Sequence, residues 1–381
     1  FYVGCRTISR STGLPLRTSQ ASMEPKNTPI HPSSPLSILY RKIELKVPLV
    51  IGTLQWGTTV IDDKFINSKG VITEKAAQQI VEEFSSAGVT LYDTAEGYGG
   101  GTSEKRVGRL LGKNAIFMTK FLPAPWRLFH SDLEWAVRQS CKRLQVQQIP
   151  IYLLHSPVHW REIEYWVEAC AICYKKGLIL SMGLSNCNAA QVRRAVTAGE
   201  KFGVPVVCNQ VHFSLLDYNS KELHEMKETC DKLGVKVIAF SPIGQGLLTE
   251  GLSDEKWASN KAAKIMRLKR EELTRLRAVV LELAQKYKKS MAQVALNWCI
   301  QHDVIPLVGC RTPQQARDSV GCLGWSLSIE DVKKLDEVAL DKSTLDSPFW
   351  RRMFFVSLFA IVMVTCRFLD FLGFGSVVPI K

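Results

Sequence analysis

The chain has 381 residues, 46% hydrophobic and 22% charged, values that exclude a largely disordered protein and allow a sizeable buried core. Its eleven cysteines are scattered without regular spacing, which excludes a disulfide-stapled miniprotein and reads as reduced thiols. The formal charge of +13 gathers at the two ends, and the middle is too dilute in cations, and too free of zinc-finger, RNP or basic-helix patterns, to argue for nucleic acid.

In chain order, residues 1–22 hold no Asp or Glu but three Arg and seven Ser/Thr. This is the composition of an organelle transit peptide, with plastid ahead of mitochondrion on the Ser/Thr content and a cytoplasmic location as the alternative. A Pro-rich stretch, Pro25–Pro35, follows. Residues 1–45 are therefore read as leader and linker, and residues 46–345 as the folded body.

Within the body, short runs rich in Val, Ile and Leu alternate with segments of helical period. Strands are predicted at Leu49–Thr53, Thr90–Asp93, Ala115–Thr119, Ile149–Leu154, Ile179–Gly183, Val206–Gln210, Val235–Phe240 and Val304–Val308. Helices are predicted at Lys75–Ser86, Ser103–Leu111, Asp132–Arg143, Arg161–Lys175, Ala189–Lys201, Lys221–Lys232 and Glu271–Tyr287. Eight such units fit a closed α/β structure, the (β/α)8 TIM barrel, better than an open sheet. The segment Gly52–Gly57 does not supply the Gly-x-Gly-x-x-Gly turn that an open dinucleotide-binding sheet would place after its first strand.

The tail, residues 346–381, is apolar, with Met353–Cys366 uncharged and Arg367 and Asp370 within further apolar sequence. Fourteen uncharged residues fall short of the ~20 of a spanning helix. The window 353–373 would cross a membrane only with Arg367 and Asp370 paired or at the interface. A membrane anchor, a packed C-terminal helix and a gene-model artefact are the alternatives for it.

Polar residues at the C-terminal ends of barrel strands are the catalytic candidates, because the loops there build the active site. The chain offers Asp93 with Tyr98 five residues on, then Lys120, His155, Ser185-Asn186 and Asn209-Gln210. Singly each has an ordinary explanation as a helix cap, a solvated cation or a structural histidine. Their recurrence at successive strand ends makes them converge on one pocket.

The segments Leu91–Tyr98, Met118–Lys120, Leu153–His155, Gly183–Asn186, Asn209-Gln210, Phe240–Gly244 and Ile305–Arg311 together resemble the aldo-keto reductases from about Val47 to about Leu340. Spacing and the Gly324–Leu327 segment are most similar to the plant and algal branch that includes plastid pyridoxal reductases. The resemblance implies a monomeric barrel that reduces an aldehyde or ketone with NADPH, without metal or flavin. It also implies a catalytic tetrad of Asp93, Tyr98, Lys120 and His155, with Tyr98 as general acid.

The residue types suit that chemistry. Hydride addition to a carbonyl leaves an alkoxide, which needs a proton donor beside the oxygen. A lysine ammonium beside Tyr98 would lower the phenol's pKa, and a carboxylate beside the lysine would keep it charged when desolvated. His155 would orient the carbonyl.

For the cofactor, the resemblance implies that Ser185, Asn186 and Gln210 hold the nicotinamide amide and that Phe240 stacks on its ring. It further implies Thr53 beside the cofactor, the Ser241–Leu247 loop, which includes Pro242 and Gly244, offering backbone donors to the pyrophosphate, and Gln315 and Asp318 at the adenosine. Arg311 matches the basic residue that clamps a 2′-phosphate, a task suited to a planar guanidinium.

Trp56, Trp126 and Trp160 each follow a strand end and could line an aromatic substrate pocket, one or two of the three being expected to face it. Arg127 is the candidate for a substrate phosphate. Cys170 and Cys173 have redox-motif spacing but fall late in a helix, which speaks against a lowered thiol pKa. The Gly97–Gly101 turn lacks the Lys-Ser/Thr of a P-loop and reads as the turn that places Tyr98, with Thr102 or Ser103 capping the next helix. The rival function is an NADPH-sensing regulatory subunit resembling potassium-channel β subunits. A barrel hydrolase using Asp93 and Glu96 lacks motif support.

Overall fold

The computed structural model describes residues 36–39, 43–57, 72–111 and 115–342. The readings of residues 1–35 as a leader and of the 346–381 tail, with its 353–373 window, fall outside these residues. Among the described residues no helix is long and apolar enough to cross a membrane.

Two short strands come first, β1 (Leu36–Leu39) and β2 (Ile43–Leu45), paired antiparallel. This hairpin occupies the end of the stretch read from sequence as linker. Leu45 is 1% exposed and clusters with Val50 and Leu91, each the first residue of its strand. The hairpin therefore brings an apolar plug to the N-terminal mouth of the barrel, where it removes apolar surface from water.

The Val, Ile and Leu runs, which suit a pleated, half-buried surface, form eight parallel strands. They are β3 (Val50–Gly52), β4 (Leu91–Asp93), β5 (Ile116–Phe121), β6 (Ile151–Leu154), β7 (Met182–Ser185), β8 (Val206–His212), β9 (Lys236–Phe240) and β10 (Ile305–Gly309). They close in the order β10-β3-β4-β5-β6-β7-β8-β9. All eight predicted strands are present, with ends shifted by at most three residues. The largest shift is in β7, where Ile179 makes only an isolated bridge to Ile149.

Helices pack outside the strands at Glu74–Ser86, Thr102–Leu111, His130–Leu144, Ile163–Lys175, Ala189–Phe202, Lys221–Lys232 and Arg270–Tyr287. Local signals set their ends. The Asn188 side chain accepts from Gln191 N at 3.0 Å while Gln191 reaches back to Asn188 N, and Gly203 at φ 80° ends the same helix. Helices at Met291–Gln301, Pro313–Val320 and Ile329–Val338 lie beyond the predicted set. The first of these is buried on nearly every side, so it shows no amphipathic stripe to read.

Candidate active site

One interior row of side chains sets the position of the site. Leu91, Met118, Leu153, Cys208 and Ile238 fill the barrel's inside as one apolar cluster. Side chains alternate between the faces of a strand. Two residues further toward each C-terminal end, the same inward face therefore presents Asp93, Lys120, His155, Gln210 and Phe240. Gly183 belongs to this layer too, because a Cβ there would lie 2.6 Å from Cys208 Sγ.

Lys120 is the hub. It has no exposed surface, and its Nζ lies 2.6 Å from Asp93 Oδ1 and 2.7 Å from Oδ2. It also donates to the Thr94 carbonyl at 2.8 Å and to Tyr98 Oη at 3.0 Å. Tyr98 opens a turn in which Gly99 and Gly100 take φ of 59° and 62°, a left-handed backbone that glycine adopts without steric cost. Gly57 packs against this turn, where a Cβ would come within 2.8 Å of Gly99 Cα. The Tyr98 and His155 rings meet edge to face at 6.0 Å, so the phenol and the imidazole border the same space.

Burial weighs on all four groups. It pulls the Lys120 ammonium down, but Asp93 and Tyr98 more than offset this and hold it above the ordinary lysine value. Burial pushes the Asp93 carboxyl up, against Lys120 and Gln210, which pull it down. Tyr98 ends above the ordinary tyrosine value: burial raises it, Lys120 lowers it and Asp93 raises it. This corrects the expectation of a lowered tyrosine pKa, because loss of solvent around the phenolate outweighs the single ammonium. Burial, helped by the Lys120 charge, lowers His155 to about 3, so the imidazole is neutral at physiological pH.

A layer of hydroxyls supports the hub. Thr53 Oγ1 donates to the Asp93 carbonyl at 2.8 Å, and Ser103 Oγ donates to the Thr53 carbonyl at 2.9 Å and lies 3.1 Å from Thr94 Oγ1. Thr53 and Leu247 have no exposed surface. At the start of the next helix, Thr102 Oγ1 donates to the Gly99 carbonyl at 2.8 Å, and Ser103 ties the helix to the residue after β3.

Around the hub, Ser185 ends β7 and Asn186 follows at φ 58°, donating from Nδ2 to Ser185 Oγ at 3.0 Å and to the His155 carbonyl at 3.2 Å. Gln210 Nε2 donates to Asp93 Oδ1 at 2.8 Å. Asn209, its neighbour, faces outward and donates to the Cys187 carbonyl at 2.9 Å, which steadies the loop after β7. Phe240 ends β9, and its ring meets His212 at 5.5 Å.

The loop after β9, with Ser241 and Pro242 at its start, has positive φ at Ser241, Gly244, Gln245 and Gly246. The N–H groups of Gly244, Gly246 and Leu247 are engaged in its own turns, which narrows the donors left for a phosphate. Arg277 braces this loop through the Leu247 and Thr249 carbonyls. Arg311 stands after β10, where Gln315 accepts from its backbone N–H at 2.8 Å. Asp318 accepts the Ser290 hydroxyl at 2.8 Å, so its carboxylate is tied to the neighbouring helix.

The tryptophans divide. Trp56 is 1% exposed and belongs to the core, whereas Trp126 and Trp160 are 50% and 54% exposed. Arg127 is buried and bidentate to Glu96, at 2.6 and 3.0 Å, with Leu122 N donating to the same carboxylate at 3.0 Å. This guanidinium is therefore not open to a substrate phosphate. Sequence gave no sign of the pair, because residues 31 apart meet only through the fold. Cys170 and Cys173 are buried, with burial raising both thiols, Cys173 to about 12.

The family model described as the Aldo/keto reductase family matches residues 48–340. The chain belongs to the aldo/keto reductase family. As a member it is an oxidoreductase with the (β/α)8 barrel of that family. Among relatives of this aldo/keto reductase, the chloroplastic pyridoxal reductase of Arabidopsis thaliana is 31% identical over 84% of this chain and 92% of its own length. The NADPH-dependent alpha-keto amide reductase of Saccharomyces cerevisiae is 25% identical over 81% and 92%. Among solved structures, an aldo-keto reductase from Bombyx mori in complex with NADP superposes with a TM-score of 0.61 at 20% identity, covering 81% of this chain and 94% of that one.

Proposed function

We propose that this protein reduces an aldehyde or ketone to the alcohol with NADPH, Tyr98 giving the proton. The observation that carries this reading is the contact of Lys120 Nζ with Tyr98 Oη at 3.0 Å, made while the same ammonium is held by Asp93 and Thr94. Because Lys120 donates to the phenol oxygen, the Tyr98 proton is left to point elsewhere, toward the space shared with His155.

The residues suit the cofactor. Phe240 offers an aromatic face at the end of β9, Asn186 and Ser185 offer polar side chains beside His155, and Arg311 offers a guanidinium for a 2′-phosphate. The name of the yeast relative states NADPH dependence. Bound NADPH supplies the hydride to the carbonyl carbon. As negative charge gathers on the carbonyl oxygen, the neutral His155 imidazole donates a hydrogen bond to it and Tyr98 transfers its proton. Lys120 stabilises the phenolate that remains, and Asp93 keeps Lys120 charged. Burial of Asp93 and Lys120 excludes water and strengthens each of these interactions.

Pyridoxal heads the candidate substrates, and a plastid the candidate locations, on the name of the Arabidopsis relative together with the acid-free leader. Trp126 and Trp160 supply apolar surface for a planar carbonyl compound. Residues 46–345 are taken as the catalytic unit.

The test is NADPH oxidation by the purified full-length protein against pyridoxal, 4-nitrobenzaldehyde and short aliphatic aldehydes, with Tyr98→Phe alongside. Turnover that collapses in the variant while NADPH still binds supports the reading. Tight NADPH binding without turnover of any carbonyl overturns it in favour of a nucleotide-sensing subunit.

A further inference from the structure

The tetrad residues come from β4, from the loop after it and from the two strand positions that follow, so they occupy one arc of the barrel. Gln210 stands on β8, four places from β4 in the closed order of eight, and so reaches the hub from the opposite wall. Its Nε2 lies 2.8 Å from Asp93 Oδ1. Gln210 is 4% exposed and Asp93 2%, which makes this a charge-assisted hydrogen bond in a nearly dry setting.

We propose that Gln210 is a positioning residue for the reaction, fixing the Asp93 carboxylate from across the barrel and so keeping Lys120 charged beside Tyr98. The resemblance gives Gln210 only to the cofactor's amide. An ionised carboxylate accepts and cannot donate, so the amide nitrogen must face Asp93 and the amide oxygen must face away. Gln210 is thereby oriented before any ligand arrives. Asp93 Oδ1 receives both Lys120 and Gln210, whereas Oδ2 receives Lys120. Removal of the amide leaves Lys120 as the one side chain among the described residues that donates to the Asp93 carboxylate. Asp93 then takes up a proton more readily, and a protonated Asp93 no longer holds the ammonium that Tyr98 needs.

This inference rests on the proposed reaction, but its first readout does not. Cofactor-free, full-length protein carrying 13Cγ-labelled aspartate is titrated by NMR, with the Asp93 signal assigned by its loss in Asp93→Asn. Two variants are compared, Gln210→Met and Gln210→Leu, each of which removes the donor without adding a charge, so that a folding defect in one leaves the other to decide. The Asp93 midpoint is expected to rise in both. The low-pH limb of kcat should move to higher pH in Gln210→Met, with kcat on that limb about tenfold below wild type. A purely structural role, or one confined to cofactor contact, would lower affinity or stability without moving either. An Asp93 midpoint that stays in place in both variants, whatever becomes of NADPH binding, overturns the inference. A midpoint that moves while Tyr98→Phe continues to turn over overturns the proposed reaction and leaves the positioning role standing.

Discussion

Lys120 and Tyr98 come from different strand ends, yet the lysine Nζ sits 3.0 Å from the phenol oxygen and 4.6 Å from the ring centroid. The ammonium therefore lies close beside the group it serves, with its remaining hydrogens fixed by Asp93 and Thr94. Removing it should be costly in two separable ways. Lys120→Met leaves the Asp93 carboxylate buried and unpaired, a loss of about 3–5 kcal/mol of stability. Urea unfolding should show much of that loss recovered in the double variant with Asp93→Asn, while turnover stays absent from both.

The pH dependence attributable to His155 follows from its direction of shift. Its folded value is about 3, against an ordinary 6.5. Between these values the unfolded chain binds a proton that the folded protein refuses, so stability is full above 6.5 and declines as pH falls toward 3. Thermal unfolding across that window should decline less steeply in His155→Gln. No limb of kcat near pH 6.5 should belong to this residue, since it is neutral throughout the range in which the enzyme would work.

Arg127 and Glu96 form a buried bidentate pair that joins the loop after β5 to the loop carrying Tyr98. Arg127→Met strands the Glu96 charge and is expected to cost about 3–5 kcal/mol in denaturant unfolding. Because the guanidinium is engaged, adding a phosphate to a carbonyl substrate should bring no tightening that depends on Arg127. Steady-state KM values for pyridoxal and its 5′-phosphate will show whether this holds.

Gly183 is a tight point of the barrel interior, with Cys208 Sγ 2.6 Å and Leu153 Cγ 3.1 Å from where a Cβ would stand. Gly183→Ala should destabilise the protein by about 1–3 kcal/mol through overpacking. Shortening Cys208 to alanine in the same chain should restore part of the loss, which a pair of thermal melts can measure.

Trp126 and Trp160 follow β5 and β6 and are half exposed. If they give the substrate an apolar wall, replacing either by alanine should raise KM for 4-nitrobenzaldehyde several-fold, consistent with about 1 kcal/mol of lost burial. Short aliphatic aldehydes, which cover less of that wall, should be affected less.

The sequence alone determined the barrel and the convergence of polar strand ends, because both follow from local pattern. Apolar runs at strand spacing recur eight times, and a polar residue ends run after run, so alternation along each strand is enough to carry Asp93, Lys120 and His155 into one mouth. Helices with a clear apolar stripe, such as Lys221–Lys232, were equally legible, whereas Met291–Gln301 was hidden by being apolar on nearly every side. What only the tertiary structure decided were relations between residues far apart in the chain. It buried Trp56 while leaving Trp126 and Trp160 half exposed. It paired Arg127 with Glu96 and engaged Asp318 with Ser290. It brought Gln210 to Asp93 across 117 residues. It also weighed burial against charge at Tyr98, and burial prevailed. A sequence specifies which groups are present and how they alternate, but partners and solvent access are properties of the closed barrel, where distance through space no longer follows distance along the chain.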